Sequence, residues 1–205
     1  MSRIDFVLAG LTSWSPLDDQ PSVTGSYRWF VEDWTGHLPP CDRFAEAWGV
    51  EIQAWPRGFA EQIETALAGQ TVVLVSGDPL VATPHGHLLT ALKDHGLNCL
   101  VRRRPGIIDL VAARIGQRPR LLPASASAEI DLHLGARQDP LLVVEDDQVE
   151  DLWHLGKAWQ QAGWKITCYA NLGGDDGWEG SLENAPAQGL RCLVFQGDLG
   201  VSPAP

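Results

Sequence analysis

Apolar residues along this chain come in short blocks, and the length and spacing of each block separate strands from helices. Blocks of four or five residues rich in aliphatic side chains, bounded by Gly, Pro, Asp or polar residues, predict strands at Ile4–Leu8, Val50–Ala54, Val72–Val75 and Asn98–Val101. Further strands are predicted at Leu141–Val144, Lys165–Tyr169 and Arg191–Phe195. Between them, apolar residues recurring every three or four positions predict helices at Phe59–Leu67, Pro84–Asp94, Ile107–Ile115 and about 148–161. Gly96 suits the left-handed position that closes a helix. Alternation of strand and helix implies an α/β fold with parallel pairing and right-handed crossovers. The segment Gln117–Ser127, with two prolines and several Ser-Ala steps, changes character and divides the chain into lobes 1–118 and 119–205. Each lobe is expected to be a mostly parallel sheet flanked by helices, with a cleft between lobes that would favour a cofactor. No repeat of fixed period is visible.

The densest chemistry lies in Ser76-Gly77-Asp78-Pro79-Leu80-Val81-Ala82-Thr83-Pro84-His85-Gly86. Gly77-Asp78-Pro79 stops a buried strand, and Thr83 followed by Pro84 reads as an N-cap with proline at the first helical position. In an open α/β sheet, ligands bind at the carboxyl ends of the strands, where a glycine admits close backbone approach and helix amides favour an anionic group. His85 and His87 are two apart and so point to different sides of a helix. They either face solvent or cap the helix, or they meet a substrate or move a proton.

Charge narrows the candidates. The net charge of −11 argues against a general nucleic-acid binder. Its distribution is uneven: residues 93–120 hold 7 Lys+Arg against 2 Asp+Glu, whereas 1–92 hold 4 against 11 and 121–205 hold 4 against 13. Arg102, Arg103, Arg104, Arg114, Arg118 and Arg120 either pair with the acidic segments or meet a polycarboxylate substrate, for which planar guanidinium is suited. Cys41, Cys99, Cys168 and Cys192 lie far apart without metal-ligand spacing, so free thiols are expected rather than a disulfide framework or zinc. Glu145-Asp146-Asp147 with Glu150 and Asp151 sits where a helix begins, a place the helix dipole favours for carboxylates, and Asp175, Asp176 and Glu179 lack a calcium-loop pattern. Trp14, Trp29, Trp34, Trp48 and Trp55 crowd the first 55 residues, where packing is the commoner use and a binding face the other. No apolar run approaches the roughly 18 residues of a membrane span, and a cytoplasmic location is expected. Gly10 stands alone after the first strand, which speaks against a dinucleotide fingerprint, and no Gly-x-Ser-x-Gly nucleophile elbow is present.

The Ser-Gly-Asp-Pro loop after an apolar strand resembles the second signature of the tetrapyrrole (corrin and porphyrin) methylases, which use S-adenosylmethionine and include the related diphthine synthases. Other segments match in order and spacing. They are Ala54-Trp55-Pro56-Arg57, Arg104-Pro105-Gly106-Ile107-Ile108, Leu110 to Gly116, Ala170 to Asp176, Gly180-Ser181-Leu182 and Cys192 to Phe195. Over residues 50 to 197 the chain looks most like the cobalt-precorrin C5-methyltransferase branch. The resemblance implies a two-lobed tetrapyrrole-methylase-like fold with S-adenosylmethionine as methyl donor. By the same resemblance Gly77, Asp78, Pro79, Leu80, Val81, Ala82 and Thr83 would line the donor site, with Ile107, Ile108, Asn171, Leu172 and Gly173 closing it. Arg102, Arg104 and His85 are the candidates for contact with a corrin precursor. No metal is implied, nor a nucleic acid or membrane partner. A homodimer is expected, with a decarboxylating methyltransferase subunit as a possible partner.

Two departures from the family pattern matter. Where the family has a Gly-x-Gly-Pro-Gly loop, this chain reads Ala9-Gly10-Leu11-Thr12-Ser13-Trp14-Ser15-Pro16, in which Leu11 and Trp14 would restrict backbone approach. The second lobe shows Val144-Glu145-Asp146 in place of the family's Gly-Pro. The expected function is therefore C-methylation of a corrin precursor. Its alternatives are a methylase-fold binding subunit without catalysis and a methylase of another, diphthine-like acceptor.

Overall fold

The structure is a computed structural model and describes residues 3–12, 16–33, 38–81, 83–136, 140–145, 152–170, 172, 177–186 and 191–196. The chain divides into two compact units, Met1–Ile107 and Ile108–Pro205. The division falls within a helix, ahead of the Gln117–Ser127 segment at which the sequence changes character.

Unit 1 holds β1 (Phe6–Leu11), β2 (Arg28–Val31), α1 (Cys41–Trp48), β3 (Ile52–Ala54), α2 (Phe59–Leu67), β4 (Thr71–Ser76), α3 (His85–Asp94) and β5 (Cys99–Arg102). The strands form one sheet in the order β3-β2-β4-β1-β5, and every ladder is parallel. Both faces are covered, which is why β1 and β4 read as unbroken apolar runs rather than alternating ones. Phe6 and Leu8 point to one face, where they pack with Phe30, Trp55, Val73 and the α3 residues Leu88, Leu89 and Leu92. Val7, Ala9 and Leu11 point to the other, against Trp29, Val31, Val72 and Phe44 of α1. The described tryptophans of this unit serve packing: Trp55 is 2% exposed against Phe6 and Phe30, and Trp48 meets Trp29 and Phe44 edge-on. Trp14 and Trp34 lie outside the described residues.

The predicted strands of this unit are all present with shifted ends, whereas β2 and α1 were not legible as elements. One shift bears on function. The stretch compared above with a glycine-rich loop is partly strand, because β1 continues through Ala9, Gly10 and Leu11. Leu11 is fully buried in the core and obstructs nothing in a loop.

α4 (Ile107–Ile115) crosses the division. Unit 2 continues with β6 (Arg120–Pro123), α5 (Ser127–Ala136), β7 (Leu141–Val144), α6 (Leu152–Gln161), β8 (Ile166–Ala170), β9 (Trp178–Gly180) and β10 (Arg191–Phe195). Its sheet runs β6-β7-β10-β8-β9, and here the expectation of a mostly parallel sheet is corrected. Only β6–β7 is parallel, while β7–β10, β10–β8 and β8–β9 are antiparallel. The physical reason is the connection. α6 carries the chain from β7 to β8 in the same direction, as a helical crossover does, but between β9 and β10 the described residues form only a single 3-10 turn at Leu182–Asn184, and β10 inserts between β7 and β8 with reversed polarity. Leu141, Val143, Leu193, Phe195 and Cys168 build the core beneath α5 and α6. Gly156 brings α6 close to Leu182 and Leu193.

Candidate functional site

Because all strands of unit 1 are parallel, their carboxyl ends share one edge, and the loops after β1, β2, β4 and β5 meet there. The Gly77-Asp78-Pro79 loop leaves β4 in the middle of this edge. Gly77 has φ +67°, and its N–H donates to the Leu11 carbonyl at 2.7 Å. A Cβ on Gly77 would lie 3.1 Å from Gly106 Cα, and one on Gly10 would lie 2.0 Å from the Gly77 carbonyl oxygen. These glycines let three backbone segments pack against one another. The space above Gly77 is filled by protein backbone.

Asp78 is 5% exposed and takes no part in an open carboxylate site. Its Oδ1 accepts the Leu80 N–H at 3.0 Å, and its Oδ2 accepts the Arg103 Nε–H at 2.7 Å. The first bond closes an Asx turn, and Val81 N–H to the Asp78 carbonyl at 3.1 Å tightens it. Thr83 does not cap a helix as its sequence position suggests. α3 begins at His85 with Pro84 at the cap position, and the Thr83 hydroxyl instead donates back to the Pro79 carbonyl at 2.5 Å. The turn lifts Leu80 to 43% exposure, with Val81 and Thr83 half-buried beside it. Ala82 lies outside the described residues.

His85 departs most from expectation. It is neither solvent-facing nor a cap: it is 2% exposed, with Nδ1 2.9 Å from the Pro79 carbonyl oxygen and Nε2 2.6 Å from Glu32 Oε2. Glu32 is fully buried where the chain leaves β2, its N–H donating to Leu74 of β4 at 3.0 Å. Sequence reasoning passed over Glu32. The available signal was a carboxylate directly after the apolar Trp29-Phe30-Val31, a pattern recognisable only once that triplet is known to be a strand. His87, by contrast, is exposed.

Arg102, Arg103 and Arg104 of the basic segment each have an internal acceptor. Arg102 donates to the Ser22 carbonyl at 2.5 Å, Arg103 to Asp78, and Arg104 to both oxygens of Asp19 at 2.8 and 2.5 Å. Hydrogen bonding to Arg104 holds the Asp19 carboxyl below its ordinary range, helped by the Thr12 N–H and opposed by partial burial. In unit 2, Arg114 pairs with Glu179 at 3.3 Å and Arg118 with Asp109 at 3.5 Å.

Of the other expected donor-site residues, Ile107 and Ile108 open α4 half-buried. Leu172 is 4% exposed, while Asn171 and Gly173 lie outside the described residues. So do Asp146, Asp147, Glu150, Asp151, Asp175 and Asp176. Among the described residues no group of three or more His, Cys, Asp or Glu could hold a metal ion. The four cysteines are free thiols, and burial pushes Cys168 and Cys192 up to about 12. No helix among the described residues is long and apolar enough to cross a membrane.

No protein-family model and no curated protein sequence matches the chain. Solved structures do. The chain is similar to diphthine synthase, with a TM-score of 0.72 at 19% identity over 92% of this chain and 89% of that one. It is similar to a protein of Entamoeba histolytica assigned as a diphthine synthase, with a TM-score of 0.71 at 17% identity over 97% and 94%. The methyltransferase CobJ gives a TM-score of 0.64 at 18% identity over 94% of each chain. At such identities the likeness is one of fold, and the fold is that of the tetrapyrrole methylases.

Proposed function

We propose that this chain is an S-adenosylmethionine-dependent methyltransferase whose donor site lies on the 77–83 loop of unit 1. The observation that carries this reading is the Ser76-Gly77-Asp78-Pro79 turn at the carboxyl edge of a parallel sheet, in a chain with this fold. The residues fit the donor by their chemistry. Asp78, Gly77 and Thr83 are committed to building the turn, so what the turn offers outward is backbone and the apolar Leu80 and Val81. The donor's adenine ring, flat with an apolar face and polar edges, suits such a surface of apolar side chains and backbone groups. When bound, the donor supplies an electrophilic methyl on a sulfonium. The protein then has to hold donor and acceptor aligned and exclude water, which explains why no catalytic triad or carboxylate pair is needed.

For the acceptor, the sequence resemblance supports a corrin precursor, methylated at carbon. A second reading, a protein acceptor of the diphthine kind, is favoured by one observation: Arg102, Arg103 and Arg104 already have internal acceptors, which leaves fewer of their N–H groups for a carboxylate-rich macrocycle. The likeness to diphthine synthase supports the same reading. A methylase-fold binding subunit remains as the non-enzymatic reading.

Calorimetric titration with S-adenosylmethionine and S-adenosylhomocysteine tests the donor site. Micromolar binding is expected, weakened at least tenfold by Leu80→Asp, a substitution at an exposed position that disturbs no core. Absence of binding by the folded protein overturns the enzymatic reading. Methyl transfer to corrin precursors or to a diphthine-like protein acceptor then separates the two.

A further inference from the structure

Resting on the donor-site reading above, we propose that Glu32 and His85 are a positioning pair that sets the Pro79 carbonyl, and through it the donor-binding turn. The protonation of the pair follows from its partners. A carbonyl oxygen only accepts, so at 2.9 Å from the Pro79 oxygen the His85 Nδ1 carries a proton. At 2.6 Å, Nε2 and Glu32 Oε2 must share one more proton, since two lone pairs would repel. Whether written as imidazolium with carboxylate or imidazole with carboxylic acid, the pair is neutral as a whole. That neutrality is what allows both side chains to be 3% exposed or less.

The pair does three things at one point. It joins the end of β2 to the start of α3 across 53 residues of sequence. It gives α3, whose cap residue Pro84 makes no side-chain bond, a fixed first residue. It supplies, with the Thr83 hydroxyl, the second of two hydrogen bonds to the Pro79 carbonyl. A buried charged pair is a poor source of stability, because desolvation offsets the attraction and apolar replacements are commonly as stable. What it provides is direction: the Pro79 carbonyl is aimed by Thr83 ahead of α3 and by His85 at its start, so the peptide that follows, carrying Leu80 and Val81, has one orientation. Both ring nitrogens of His85 are engaged, which places its role in geometry and not in contact with substrate.

Amide replacements separate the two nitrogens. His85→Asn puts an N–H near the Nδ1 position and keeps donation to Pro79, whereas His85→Gln reaches the Nε2 position, keeping Glu32 and releasing Pro79. The measurements are S-adenosylhomocysteine affinity by calorimetry, thermal midpoint, and hydrogen exchange of the amides of 80–83 and 85–87. His85→Asn, which takes the imidazole from the buried Glu32, is expected to have the lower thermal midpoint of the two and still to bind within about threefold of the parent, while His85→Gln binds at least tenfold more weakly and its 80–83 amides exchange faster. The apolar pair Glu32→Met with His85→Leu guards against misreading a folding defect: it should hold its thermal midpoint and still lose affinity. Equal affinity in the Asn and Gln variants, or loss that merely follows the thermal midpoint, overturns the positioning role alone. Failure of the unaltered protein to bind the donor overturns the function and this role together.

Discussion

At the residue scale, glycine carries more of the site than any charged group. Gly10 looked like the remnant of a ligand loop; in the structure it is a strand residue whose missing Cβ makes room for the Gly77 carbonyl, 2.0 Å from where that atom would be. Backbone cannot yield as the end of a side chain can. Gly10→Ala is therefore expected to cost about 1–3 kcal/mol, read as a lower guanidinium midpoint at unchanged slope. Gly86, in α3 with nothing within 4 Å of its Cβ position, is the control. Gly86→Ala should gain up to about 0.5–1 kcal/mol from helix propensity. The Asp19–Arg104 pair gives a pH prediction with a definite sign. Arg104 depresses the folded-state value of Asp19 below 3.8, so the pair's contribution is complete above that ordinary value and is lost as pH falls through the depressed one. The stability difference between the parent and Asp19→Asn should be constant near neutrality and close below about pH 4. Its size is under about 1 kcal/mol, because the Arg104 side chain remains 45% exposed and solvent screens the pair.

At the scale of elements, the pattern of apolar positions found β1, β3, β4, β5, β7, β8 and β10 and missed β2, β6 and β9. β2 is only Arg28-Trp29-Phe30-Val31, and its first residue is spent on the carbonyls of Thr65 and Gly69 and on Thr71. β6 follows Pro119 and ends on Pro123, so it read as a boundary, yet proline is tolerated because β6 is an edge strand. α5 hides its periodicity differently. Ile130 and Leu134 face the core at helical spacing, but Leu132 is 75% exposed and blurs the stripe. Leu132→Ser should change stability by no more than about 0.5 kcal/mol, whereas Ile130→Ala should lower it by about 2–5 kcal/mol, both measured by denaturant unfolding.

For the whole molecule, the cysteines offer a global test of packing. Cys168 and Cys192 sit on paired strands of unit 2, are fully buried, and are pushed up to about 12. At pH 8 only about one in ten thousand would be thiolate. An aromatic disulfide reagent should therefore modify Cys41 and Cys99 slowly and leave the other two untouched, with all four reacting once the chain is unfolded. The sequence by itself determined the α/β alternation, the turn at Gly77-Asp78-Pro79 and the free thiols, because each is written in residues that are neighbours along the chain or in their spacing. Tertiary structure alone decided the rest. The polarity of β10 depends on where a strand inserts, the pairing of Arg103 with Asp78 on a loop folding back across 25 residues, and the burial of His85 against Glu32 on two elements 53 residues apart. No local pattern records such a meeting, since a buried histidine and an exposed one are the same letter until a partner arrives from elsewhere in the fold.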